Sequence, residues 1–177
     1  IEELWGDGPP TSAAKIVQGY VSQLSRALGE EGQLRLRTRA PGYVLELGPD
    51  ELDLDRFESL VARGRDELAR GLVADAAAHL GEALALWRGP PLADFQYEPF
   101  AQAAIARLEE LRLAALEQRI EADLQLGHEA TLVGELEALV ADHPMRERLR
   151  AQLMLALYRC GRQGDALEVY QSTRRTL

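Results

Sequence analysis

Polar side chains near the start of the chain are spaced so that one helix face would carry all of them. They are Lys15, Gln18, Ser22 and Arg26. Their intervals of three and four residues match the helical period. Ammonium, amide, hydroxyl and guanidinium groups are the donors that read base edges and contact phosphates in nucleic acids. The face carries no carboxylate, which favours such a contact over an ordinary solvated surface.

A second group of cations alternates with less polar residues from Gln33 to Arg39. The two sides are Arg35, Arg37 and Arg39 on one and Leu34, Leu36 and Thr38 on the other. This period of two predicts a half-buried strand. Residues 40–43, Ala-Pro-Gly-Tyr, predict a type II turn with Pro and Gly at its centre. Tyr43, Leu45 and Leu47 predict the return strand of a hairpin, whose arginine side either contacts phosphates or is simply solvated.

The polar face must belong to an amphipathic helix that lies between two turns. Residues 6–10, Gly-Asp-Gly-Pro-Pro, predict the first turn, and Thr11 or Ser12 can cap the helix. Gly29 ends it. The opposite face is apolar: Ala13, Ile16, Val17, Tyr20, Val21, Leu24, Ala27 and Leu28. A helix followed by a basic hairpin is the element order of a winged helix, whose helix enters the major groove.

Charge divides the chain into two parts. Ser12 to Tyr43 holds five basic and two acidic residues, a net charge of +3. Pro49 to the end holds 15 basic and 23 acidic residues, a net charge of −8. We expect the two parts to face different partners, because only the first attracts phosphate. The single cysteine excludes an internal disulfide and a multi-thiolate zinc site. The absence of a long apolar run predicts a cytoplasmic protein with no membrane partner.

From Asp50 onward the pattern becomes helical, with the first helix opening at Asp53, and glycines mark a repeat. Gly127 and Gly161 are 34 residues apart, which is the tetratricopeptide period. The residues 5, 9 and 12 positions after Gly71, Gly127 and Gly161 are Ala76, Leu80 and Ala83; Leu132, Leu136 and Leu139; and Ala166, Tyr170 and Thr173. Most are small or apolar, Thr173 being a poor match. This predicts an α-solenoid of about three repeats.

An insertion interrupts these repeats. Residues 87–92, Trp-Arg-Gly-Pro-Pro-Leu, break the helix and lead into a long helix from about Phe100 to Leu124.

The sequence lacks the motifs of common catalytic sites. The glycines of residues 6–8 precede two prolines, which cannot donate the N–H groups of a phosphate loop. His128-Glu129 lacks the second histidine of a zinc protease, and no Gly-x-Ser-x-Gly elbow occurs. His79, His128 and His143 are far apart, and Cys160 is expected to be a small packed residue. An enzyme is not predicted.

Several short motifs follow one another along the chain. They are Leu4-Trp5-Gly6-Asp7-x-Pro9-Pro10-x-Ser12-Ala13, Gln18-x-Tyr20-Val21-Ser22-x-Leu24-x-Arg26-Ala27-Leu28, Thr38-Arg39-x-Pro41-Gly42-Tyr43, Leu86-Trp87-Arg88-Gly89-x-Pro91-Leu92 and His143-Pro144. Together they resemble the Streptomyces antibiotic regulatory protein family.

The resemblance implies a mainly α fold. A partial winged helix-turn-helix with a C-terminal β-hairpin wing would be followed by an α-helical tetratricopeptide-like domain. Residues 1–48 would be the C-terminal part of an OmpR-like winged-helix domain, its N-terminal part missing. Residues 49–177 would be a tetratricopeptide-like bacterial transcriptional activation domain, truncated at its C-terminal end.

It also implies a transcriptional activator that binds direct repeats at promoters, with a homodimer on the repeats as one arrangement, and recruits RNA polymerase holoenzyme for secondary-metabolite genes. No cofactor or metal is implied. The recognition helix would be Thr11 to Leu28 and the wing Gln33 to Leu47. The implied DNA-binding residues are Ser12, Lys15, Gln18, Ser22, Arg26, Arg37 and Arg39.

The chain also departs from the family pattern. Gln23 and Ser25 stand where the family often has arginines, which leaves fewer phosphate anchors and predicts modest affinity for one half-site. Two other functions stay open. One is a tetratricopeptide-type adaptor that binds proteins, and the other is a sensor-linked regulator with a further C-terminal domain.

Overall fold

The computed structural model describes residues 1–30, 35–49 and 51–176. Its elements are α1 (Glu2–Trp5), α2 (Ala13–Ala27), β1 (Leu36–Arg39), β2 (Gly42–Leu45), α3 (Asp53–Ala69), α4 (Val73–Ala85), a short 3-10 helix (Ala93–Phe95), α5 (Pro99–Gln125), α6 (Glu129–Asp142), α7 (Glu147–Arg159) and α8 (Gln163–Thr176). The predicted mainly helical class with one hairpin is confirmed. The chain forms two compact units, Ile1–Leu52 and Asp53–Leu177. Within the described ranges, no helix is long and apolar enough to cross a membrane.

Helix α2 lies almost where the sequence predicts it. Ser12 occupies the N-cap position, but its hydroxyl makes no capping hydrogen bond, so the expected side-chain cap at Ser12 is wrong. The backbone N–H of Ala13 instead donates to the carbonyl of Pro10 at 2.9 Å. At the other end, Gly29 has φ +72°, a conformation that glycine adopts without a Cβ penalty.

The apolar face of α2 is only partly covered. Among the described residues of the N-terminal unit, Ala13 is the one buried hydrophobic residue, at 4% exposure. Tyr20 and Leu24 are 58% and 48% exposed. The amphipathic pattern therefore predicts the helix, but the described residues of this unit leave part of its apolar face exposed.

The hairpin differs from the predicted one at the start of its first strand and at its turn, whereas that strand ends at Arg39 as predicted. β1 begins at Leu36, because Arg35 is helical, and Gln33 and Leu34 lie outside the described residues. The strands pair up to Arg39 and Gly42, which leaves Ala40 and cis Pro41 as the loop. The predicted type II turn is wrong, since proline holds the third turn position, as in a type VI turn.

Three helices of the second unit end in the same way, which explains the glycine spacing. After α3, the N–H of Leu72 donates to the carbonyl of Glu67 at 2.9 Å, and that of Gly71 donates to Leu68 at 3.0 Å. The same pair of bonds follows α5 and α7 at Gly127 and Gly161. This is the Schellman motif, and all three glycines have φ between +75° and +82°.

Most repeat positions that the glycines mark are in the core. Fully or nearly fully buried are Ala76, Leu80, Ala83, Leu132, Leu136 and Ala166. One core cluster joins α5 to α8, and a second, around Phe57, joins α3, α4 and α5. Tyr170 departs from the pattern at 49% exposure, because it lines an open apolar groove between α7 and α8.

Two other expectations for this unit need correction. Cys160 is exposed, not packed, because it is the C-cap of α7, where the chain turns away from the core. Thr173 is half-buried, and its hydroxyl accepts a hydrogen bond from the guanidinium of buried Arg150 at 3.2 Å. It therefore serves as a polar partner and not as a failed apolar position.

The predicted insertion is anchored by its tryptophan. The ring of Trp87 packs edge-to-face on Phe57 of α3, with centroids 5.4 Å apart. The guanidinium of Arg112 on α5 lies 5.3 Å from the Trp87 ring, in a cation–π contact. The long helix that follows begins at Pro99 and ends at Gln125, as the sequence indicates.

Candidate nucleic-acid interface

The predicted contact residues of the recognition helix all reach solvent. The exposed set is Ser12, Lys15, Gln18, Ser22 and Arg26. Ser12 lies at the N-cap, and the others follow along α2 at helical intervals, so they share one face. The structure therefore brings these five residues together on one accessible surface. Their role as DNA contacts stays a prediction.

Local hydrogen bonds orient the C-terminal half of this face. The Ser22 hydroxyl donates to the carbonyl of Gln18 at 2.8 Å. The Nε of Arg26 donates to the carbonyl of Ser22 at 3.2 Å. In the described part of the chain, the two terminal nitrogens of Arg26 and the ammonium of Lys15 have no carboxylate partner. Both cations are exposed.

The positive charge of the N-terminal unit is local. Ile1–Leu52 contains five basic and eight acidic residues, a net −3, so the whole unit is not basic. No acidic residue occurs between Ser12 and Leu28, and the nearest carboxylates along the chain are Asp7 and Glu30. Any attraction of a phosphate backbone would therefore have to come from the α2 face and the hairpin, since the net charge of the unit opposes it.

Carboxylates that the sequence prediction missed accompany the hairpin arginines. Arg37 is exposed and forms an ion pair with Glu46, with Nε and Oε2 3.0 Å apart. Arg35 forms an ion pair with Glu51. Arg39 is also exposed and forms no ion pair among the residues that the structure describes. Of the two predicted wing contacts, Arg39 is therefore the one for which the described residues supply no ion pair.

The Glu51 carboxylate is fixed more firmly than that of Glu46. The hydrogen bond from Arg35 and a backbone hydrogen bond from the N–H of Gly48, at 2.5 Å, both lower the pKa of Glu51 below its ordinary 4.5. Glu51 therefore remains ionised at neutral pH.

Histidines are distributed over the helical unit. His79 is half-buried, with its Nδ1 2.7 Å from Oε2 of buried Glu67, and His143 is the C-cap of α6. Nδ1 of His128 lies 3.5 Å from a carboxylate oxygen of Asp123. Across the three described ranges, no cluster of His, Cys, Asp and Glu side chains could hold a metal ion.

The chain matches one family over most of its length. Residues 52–177 match the family described as the bacterial transcriptional activator domain. Over the whole chain, it is 44% identical to the regulatory protein DnrI of Streptomyces peucetius and spans 68% of that protein. It is 41% identical to the regulatory protein AfsR of Streptomyces griseus, of which it spans 18%.

A solved structure is similar along the entire chain. It is Mycobacterium tuberculosis EmbR in complex with a low affinity phosphopeptide, with a TM-score of 0.94 and 36% sequence identity. The match covers all of this chain and 48% of that one, and includes the hairpin as well as the helices.

The family match, these relatives and the order of α2 and the hairpin all indicate the same family. The predicted family is confirmed, and its members are transcriptional regulators and not enzymes. The chain belongs to the bacterial transcriptional activator domain family and is of the Streptomyces antibiotic regulatory protein type.

Proposed function

We propose that this chain binds promoter DNA sequence-specifically through α2 and activates transcription by recruiting RNA polymerase. The observation that carries the proposal is the exposed donor face of α2, which holds no carboxylate. Its target would be direct repeats upstream of secondary-metabolite genes, in the cytoplasm. The division of the chain into a winged-helix part and an activation part is included in this proposal.

The dimensions of α2 suit a major groove. Its 15 residues extend about 22 Å at 1.5 Å per residue, and the groove admits one α-helix. Gln18 and Ser22 lie at the centre of the face, where an amide and a hydroxyl can pair with base edges. Lys15 and Arg26 lie towards the ends, where cations can reach phosphates or guanine. Ser12 at the helix start suits a backbone phosphate.

We expect one protomer to bind DNA weakly. In the N-terminal unit, Lys15, Arg26 and Arg39 are the exposed cations that have no carboxylate partner among the described residues. Each neutralised phosphate contributes about −0.9 to the slope of log K against log salt, so three predict a slope of about −3. Two protomers on a direct repeat, or contact with polymerase, would supply the remaining affinity.

The helical unit would carry the activating contact. From Asp53 onward it holds 15 basic and 21 acidic residues, a net −6, which repels the DNA backbone. Its rigid repeats offer a scaffold for protein partners, as stacked helix pairs commonly do.

The test is a mobility shift of the intact protein on the promoter of its neighbouring genes. Lys15→Ala/Arg26→Ala removes two contacts and should weaken specific binding about 100-fold, at about 1.4 kcal/mol each. Arg65→Ala/Arg70→Ala is the matched control, because both arginines are exposed on the helical unit. Equal loss in both variants, or none in the first, contradicts the proposed interface.

A second candidate function is a sensor-linked regulator, supported by the similarity to EmbR in its complex with a phosphopeptide. Phosphopeptide titration of the protein expressed from its full reading frame tests it. If wild-type protein binds no promoter DNA although circular dichroism shows an intact fold, a tetratricopeptide-type adaptor becomes the better account.

A further inference from the structure

The arginine face of the hairpin contains a carboxylate. The register pairs Arg37 with Val44, so the two side chains point to the same side of the sheet. Glu46 lies two residues beyond Val44 and therefore on that side as well. The backbone N–H of Glu46 donates to the carbonyl of Arg35 at 2.9 Å, which keeps the pairing in register to this point. Glu46 is thus built into the surface that the proposed function assigns to DNA.

The contact between Arg37 and Glu46 is of a kind that DNA can displace. The two side chains are 64% and 51% exposed, and Nε of Arg37 lies 3.0 Å from Oε2 of Glu46. Exposed ion pairs of this type are weak because water and salt screen them. A DNA phosphate offers the guanidinium an equivalent partner, but it must first separate Arg37 from Glu46.

The contact between Arg35 and Glu51 is different. Glu51 also accepts the backbone N–H of Gly48, and the pair is 40% and 39% exposed. Replacing Glu51 would therefore remove the acceptor of the Gly48 N–H as well as one ion pair of Arg35. Glu46 is the carboxylate that can be removed without loss of a backbone hydrogen bond.

We propose that Glu46 competes with DNA phosphate for Arg37 and so holds down the affinity and the salt dependence of the wing. The inference rests on the proposed DNA-binding function. Arg39 is then the wing cation that contacts phosphate in the wild-type protein, and Arg37 contributes only when Glu46 is displaced. A built-in competitor keeps binding to a single site weak, so that occupancy depends on repeated sites.

The test compares wild type with Glu46→Gln by salt titration of DNA binding, using intact protein and both promoter and unrelated duplexes. Freeing Arg37 adds about one phosphate contact, which steepens the slope by about 0.9. At about 0.15 M salt this corresponds to binding about 5-fold tighter. The gain should occur on both duplexes, since a phosphate contact carries no sequence information.

Two controls separate competition from a general charge effect. Glu30→Gln makes the same change in net charge at an exposed residue of the same unit, and it should alter affinity less than 2-fold. In an Arg37→Gln background, Glu46→Gln should produce no gain, because the competed group is gone. Equal melting temperatures show that the variants fold alike.

The outcomes also separate this inference from the proposed function. Wild-type binding with no gain, or a loss, in Glu46→Gln overturns the competition and leaves DNA binding intact. A gain that persists without Arg37 overturns it as well. If neither wild type nor Glu46→Gln binds either duplex, both proposals fail.

Discussion

The two units of the chain use their apolar residues differently. In the helical unit, leucines at repeat positions such as Leu80 and Leu136 are fully buried. In the N-terminal unit, Ala13 is the buried hydrophobic residue among those described, and Leu24 and Leu45 are 48% and 41% exposed. The helical unit therefore buries its leucines in a packed core, whereas the described part of the N-terminal unit leaves most of its large apolar side chains partly exposed.

A buried and an exposed leucine test this contrast most strongly. Leu136→Ala should destabilise the helical unit by about 3 kcal/mol, because it leaves a cavity in the α5–α8 core. Leu24→Ala should change stability by less than about 0.5 kcal/mol, as is usual for a surface residue. Urea unfolding measures both. Similar losses would show that the N-terminal helix is packed after all.

Two glycines sharpen the contrast within the helical unit. A Cβ at Gly64 would lie 2.6 Å from Cγ of Leu80, whereas a Cβ at Gly81 meets nothing within 4 Å. Gly64→Ala should therefore destabilise by about 1–2 kcal/mol through overpacking. Gly81→Ala should stabilise by up to about 1 kcal/mol through helix propensity. Thermal unfolding should give shifts in melting temperature of opposite sign for the two variants. Shifts of the same sign would mean that Gly64 does not lie at the close contact between α3 and α4.

The buried carboxylate of Glu67 should make the helical unit acid-sensitive. Burial acts to raise the pKa of Glu67, but hydrogen bonds from His79 and Arg63 outweigh it and lower the pKa below 4.5. A group whose pKa is lowered in the folded protein stabilises the fold at any pH above its ordinary pKa. This stabilisation is lost as the pH falls through the lowered pKa.

Thermal melts of wild type and Glu67→Gln from about pH 7 to pH 3 measure this effect. Wild type should be the more stable protein at neutral pH, and the difference should shrink below about pH 4.5. A difference that is independent of pH would mean that shape, and not charge, makes the contribution.

The smallest expected effect concerns Cys160. Because its side chain is exposed at the C-cap of α7, Cys160→Ser should change stability by less than about 0.5 kcal/mol. The wild-type thiol should react with a maleimide in the native state. Slow labelling together with a large loss of stability would show that Cys160 is packed, as the sequence indicated.

The sequence predicts best what local geometry decides. Gly71, Gly127 and Gly161 mark helix ends because a Schellman motif needs positive φ, and the buried positions follow from each glycine at fixed intervals. The alternation of Leu36 and Arg37 likewise predicts the two hairpin faces.

What the sequence does not predict depends on pairing between segments. The turn type followed from the register of Arg39 with Gly42, which composition alone does not determine. Glu46 was missed because its face is defined by the strand opposite, although the period of two from Val44 could have located it. The exposure of Cys160 depends on where the core ends, which periodicity within one helix does not show.

Site-directed photocrosslinking to promoter DNA tests the central claim most directly. In a Cys160→Ser background, a photoreactive group is attached to Gln18→Cys on the α2 face or to Glu168→Cys, an exposed position of the helical unit. The account predicts crosslinks to bases of the direct repeat from position 18 and none from position 168. Crosslinks from position 168 alone, while the protein remains bound to the promoter, would contradict it.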